Sequence, residues 1–156
     1  MNNRRKLVIA LGAGALATPL ASFGQQQPKI FRIGILNPGL ASAATARLEA
    51  LRSGLRDYSY VEGKNLAIEF RFADGKYERL PELAAELVRL NVDVIVTGGT
   101  PSVRAAKEAT ATIPIVMTVT GDAVGSGLIA SLARPGGNLT GATYFNPNSL
   151  RNGLSC

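Results

Sequence analysis

The strongest constraint in this sequence is its alternation. Short β-branched runs are followed, again and again, by segments whose apolar residues recur every three or four positions. Residues 29–36 (KIFRIGIL) read as a strand that stops at Asn37-Pro38-Gly39. Ser42 can cap the helix that follows over roughly 43–57, where Ala44, Leu48, Leu51 and Leu55 share a face. Residues 66–72 (LAIEFRF) alternate, with Leu66, Ile68, Phe70 and Phe72 on one face and Glu69 and Arg71 on a wet one, as in an edge strand. Asp74-Gly75 turns the chain, and Pro81 suits the first turn of a helix carrying Leu83, Leu87 and Leu90. Residues 92–97 (VDVIVT) form a nearly unbroken apolar run, the pattern of a central strand buried on both faces. Thr100 reads as an N-cap and Pro101 as the first residue of a helix through Thr110. A fourth strand is expected over 113–119, a short helix over 128–133 and a fifth strand over 139–145.

The resulting order is βαβαβαβαβ. Strands separated by short helices pair in parallel through right-handed crossovers. The expected fold is α/β: a doubly wound five-stranded parallel sheet in the order 2-1-3-4-5.

Residues 1–24 read as an export signal rather than as part of the fold. Arg4, Arg5 and Lys6 form a basic start, Leu7 to Leu16 is uncharged and apolar, and Ser22 and Gly24 are spaced for peptidase cleavage. The apolar run falls short of the ~20 residues of a membrane span. The Arg-Arg pair is also compatible with a twin-arginine route. Within this stretch Gly12-Ala13-Gly14-Ala15-Leu16-Ala17 matches a dinucleotide-binding pattern. That pattern needs an acidic residue roughly 20 positions on, and the first acidic residue is Glu49. Small residues of a signal explain it better. The expected location is the periplasm.

Composition then narrows the chemistry. The 156 residues contain no His, and the single Cys is Cys156. Ser-His and Cys-His couples, imidazole acid/base work, an internal disulfide and Cys-based metal clusters are therefore excluded. No phosphate-binding G-x-x-x-x-G-K motif is present, and Gly125-Ser126-Gly127 is not a nucleophile elbow. No enzyme activity, metal or cofactor is expected. The formal charge is +6, but removing Arg4, Arg5 and Lys6 from the 17 basic residues leaves 14 against 11 acidic ones. The basic residues are scattered without interleaved aromatics, so no nucleic-acid partner is expected.

In an open parallel sheet, ligands bind beyond the carboxyl ends of the strands. The loops there are expected at 37–41, 73–76, 98–102, 120–127 and 146–149. They are rich in Gly, Ser, Thr, Asn and Asp, which suits a small polar solute. Each candidate has two readings. Thr100 is an N-cap or also a ligand contact, Asp122 holds an amine or forms a turn, and Asn37 is a turn residue or a ligand contact. Gly98-Gly99 permits a tight turn or close approach of a ligand. Tyr144 and Phe145 pack in the core or form an aromatic platform.

Three stretches carry a family resemblance: RIGILNPG at 32–39, the long run from Leu51 to Met117, and GDAVGSGLIASLARPGGNLTGATYF at 121–145. The segment GLIASLARPGGNLTG is the most specific. The chain resembles the substrate-binding proteins of ABC transporters of the tryptophan/tyrosine-binding type. That resemblance implies a type I periplasmic-binding fold of two α/β lobes around a cleft. It implies a site built from Asn37, Thr100, Ser102, Thr120 and Asp122, a small-molecule solute such as an amino acid, and ABC permease subunits as partners. Ala123 stands where the family often has Pro. The resemblance also implies a division into a signal (1–24), an N-terminal lobe (25–147) and a divergent tail (148–156), about half the family's usual length. The competing readings are a flavodoxin-like nucleotide-binding module or enzyme, which would need a phosphate or flavin loop where NPGLAS stands, and a truncated chain without function.

Overall fold

The β-branched rows of the strands set up the sheet. In the computed structural model, residues 29–131 and 136–143 are described. The residues read as an export signal (1–24), the end of the helix expected over 128–133, Tyr144, Phe145, the loop at 146–149 and the residues read as a divergent tail lie outside them. The strands are β1 (Phe31–Asn37), β2 (Leu66–Phe72), β3 (Val94–Thr97), β4 (Ile115–Met117) and β5 (Leu139–Gly141). The helices are α1 (Ala41–Asp57), α2 (Leu80–Arg89) and α3 (Thr100–Ala109). All pairings are parallel and the strand order is β2-β1-β3-β4-β5, as the alternation implied.

Register sorts the side chains onto two faces. Gly34, Ile95, Ile115 and Leu139 lie side by side across β1, β3, β4 and β5. This face packs on α2 and α3 through Leu83, Leu87, Val103 and Ala106 in the larger core. Gly34 gives room there: a β-carbon would lie 3.0 Å from Leu87 Cδ2 and 3.3 Å from Val92 Cγ2. The opposite face carries Ile33, Ile35, Ile68 and Phe70, packed against Leu48, Leu51 and Leu55 of α1. It continues over Val94, Val96 and Val116, which remain half-buried.

Several local expectations are corrected. Ser42 does not cap α1; the helix begins at Ala41, with Leu40 at the cap position and no side-chain cap. Thr100 does not cap α3 either. Gly99, at φ +81°, occupies the cap and Thr100 is the first helical residue. The supposed wet face of β2 is partly covered, because Arg71 Nε donates to Glu86 Oε2 of α2 at 2.6 Å. The third strand begins at Val94, two residues later than expected; β4 and β5 are three residues each, shorter than the spans read at 113–119 and 139–145. Residues 128–131 are not helical. The carbonyls of Ser126 and Leu128 are taken by Arg104 and Lys107 of α3, at 3.3 and 2.7 Å, rather than by amides one turn on.

Candidate functional site

The site begins where β1, β3 and β4 end. Asn37 Oδ1 accepts the Gly39 N–H at 2.8 Å and closes the first loop as an Asx turn. The second loop, Gly98-Gly99, is pressed against the third. Gly99 N donates to Val119 O at 2.7 Å, and a β-carbon on Gly98 would lie 2.8 Å from Thr118 Oγ1. Thr118 Oγ1 donates to Thr97 O at 3.2 Å, and Thr100 Oγ1 and Thr120 Oγ1 stand 3.4 Å apart. Side-chain hydroxyls therefore extend the ladder past the last strand residues.

These loops and α1 enclose a cavity of about 660 Å³. At the loop end, which is open to solvent, polar groups of Asn37, Gly98, Gly99, Thr118, Thr120 and Gly121 alternate with Pro38 and Val119. Its walls are apolar: Ile35 and Val96 from the sheet, Ala44, Leu48 and Leu51 from α1. Arg47 is the one charged lining residue. The cavity exists because α1 stands off the sheet. Only Ala44 of α1 is buried, whereas α2 buries Leu80, Leu83, Ala84 and Leu87. An apolar trough with hydrogen-bonding groups at one end suits a small amphiphilic solute.

The five residues expected from the sequence divide. Asn37 and Thr120 line the cavity. Thr100 stands behind Thr120 and shares its hydroxyl contact. Ser102 is fully buried in α3 and its hydroxyl has no partner among the described residues. Asp122 turns away: its Oδ1 accepts the amides of Val124 at 3.1 Å and Gly125 at 2.9 Å, so it forms the turn. Gly98-Gly99 likewise makes a tight turn between strand and helix. The loop at 73–76 does not line the cavity, but supports the first loop through Ala73 N to Asn37 O and Gly75 N to Pro38 O. The sequence reading missed the α1 wall. Ala44, Leu48 and Leu51 carried only a core signal, and nothing marked Arg47.

Among the described residues, the two groups with displaced acidity lie away from the cavity. Asp93, at the amino end of β3, is held below the ordinary carboxylate range by the Lys29 ammonium and the Arg32 amide. On α1, Glu62 and Glu49 raise Arg52 above its ordinary value. Among the described residues no cluster of three metal-binding side chains occurs, and no helix is long and apolar enough to cross a membrane.

Comparison with known proteins bears on this geometry. The family described as "ABC transporter substrate binding protein" matches residues 32–152. A tyrosine-binding protein of Clostridioides difficile (strain R20291) is 36% identical over 109 residues, which is 70% of this chain and 30% of that protein. The crystal structure of a conserved domain protein from Vibrio cholerae superposes with a TM-score of 0.70 at 34% identity, over 81% of this chain and 43% of that one. An ABC domain from Streptococcus pneumonia, solved in complex with L-Trp, gives a TM-score of 0.67 at 26% identity, over 77% and 40%. The chain thus spans less than half the length of each.

Proposed function

This chain belongs to the ABC transporter substrate-binding protein family, and from that premise we propose that it holds a small amino-acid-like solute, without chemistry, for an ABC importer. The observation that carries the reading is the cavity at the carboxyl ends of β1, β3 and β4, apolar in its walls and with polar groups at its loop end. Asn37 and Thr120 present polar atoms to the solute. Thr100 orients Thr120 and Asp122 shapes the turn behind it. Ser102 lies buried at the third residue of α3. The apolar trough takes the solute's side chain. An aromatic amino acid is the favoured class: one relative is named for tyrosine and one structure holds L-Trp.

In the whole protein, a second lobe closes over the solute and the closed form docks on permease subunits. Closure of that kind is a hinge motion. Export through the segment at 1–24 would deliver the protein to the periplasm, where an importer collects solute.

Titration with L-tryptophan, followed by amide chemical shifts, should move Asn37, Thr120 and Gly121 saturably. Shifts confined to other regions, or no saturable shift, would overturn the site.

A further inference from the structure

The loop after β4 lines the cavity through Thr118, Val119, Thr120 and Gly121, so whatever holds this loop sets that wall. On the α3 side it is held by Gly99 N to Val119 O and by the Thr100–Thr120 hydroxyl contact. On the other side runs the chain leaving β5. Ala142 N donates to Met117 O at 2.9 Å, the last backbone bond of that edge among the described residues. One residue later a side chain takes over. Thr143 Oγ1 donates to Gly121 O at 2.6 Å and accepts the Ala123 N–H at 3.2 Å. One oxygen thus bonds both sides of Asp122, whose own carboxylate is engaged in the following turn.

We propose that Thr143 is a positioning residue of the candidate site: its hydroxyl ties the path of the chain after β5 to the Thr120–Gly121 wall, so displacement of residues 142–143 is transmitted to that wall. A hydroxyl is needed because the contact uses donor and acceptor together, and only Ser or Thr offers both on so short a stem. The fully buried Ala123 beside it leaves the loop little freedom to shift alone. This inference rests on the proposed solute site only for what the wall binds; the tie itself is independent of the solute.

The test compares the wild-type chain with Thr143→Val, which keeps the shape and removes both bonds, and Thr143→Ser, which keeps the hydroxyl. Amide exchange by NMR should show Ala123 opening about tenfold faster in the Val variant, the factor expected for a lost hydrogen bond. Leu87 and Val103 amides should stay unchanged, and Ser should restore protection. The L-tryptophan shifts at Thr120 and Gly121 should weaken in Val and return in Ser. Unchanged exchange at Ala123 in Val would overturn the proposal. So would equal acceleration at Leu87 and Val103, or failure of Ser to restore protection. Absence of any tryptophan response in the wild type would count against the solute reading, while the exchange pattern still decides on Thr143.

Discussion

Single side chains here act mainly as ties between segments distant in sequence. Asp93 is the clearest case. Its Oδ1 lies 2.7 Å from Lys29 Nζ and its Oδ2 accepts the Arg32 amide at 2.8 Å, joining the start of β3 to the start of β1. Because the folded state holds its pKa below the ordinary value, Asp93 contributes stability that is complete above the ordinary carboxylate range. That contribution is lost as pH falls through the lowered value. Urea melts of wild type and Asp93→Asn should therefore differ most near neutral pH and converge in strong acid; a gap that stays constant with pH would contradict this. At the same scale, Gly141 sits at φ +130° in β5, where a β-carbon would collide with the Met117 backbone. The sequence reading saw Gly141 only as a weakening of the strand. The site residues show the same limit. Position after a strand pointed to the strand-end loops, and Asn37 and Thr120 of those loops line the cavity. It did not tell which way a side chain turns, and Asp122 turns into its own loop.

Among the elements, α1 and α2 illustrate how similar patterns produce different packing. Both carry leucines at helical spacing. Those of α2 are fully inserted, because Gly34 lets Leu87 approach the sheet. Those of α1 are half-buried over the cavity. Local opening is easiest where few apolar groups are buried. Native-state hydrogen exchange should show α1 amides opening at lower free energy than those of α2 and α3, and equal protection would contradict the looser seating of α1. The elements themselves were largely legible, since period and punctuation marked all five strands and the helices α1, α2 and α3, together with a fourth helix over 128–133 that residues 128–131 do not form. Their ends were not. The span at 128–133 resembled a helix by composition, but Arg104 and Lys107 claim its neighbourhood's carbonyls from another element, and no local pattern carries that information.

Among the described residues, one face of the sheet is packed by α2 and α3, while the other is covered by α1 over β1 and β2 and leaves Val94, Val96 and Val116 half-buried. Ile115 and Val116, adjacent in β4, point to opposite faces: Ile115 is fully buried and Val116 is half-buried. Ile115→Ala should cost about 2–5 kcal/mol, and Val116→Ala about 1 kcal/mol or less, measured by chemical denaturation. Similar losses would mean that both faces are equally covered. The sequence by itself determined the α/β class and the parallel order 2-1-3-4-5, and it pointed to the strand-end loops as a group. These follow from hydrophobic period and chain connectivity, which are local or topological. Only the tertiary structure decided that α1 stands off the sheet to leave an apolar trough, which hydroxyls bridge the loops and which polar groups face the trough. Those outcomes depend on how far two packed surfaces can approach, and that distance is set jointly by residues far apart in the chain.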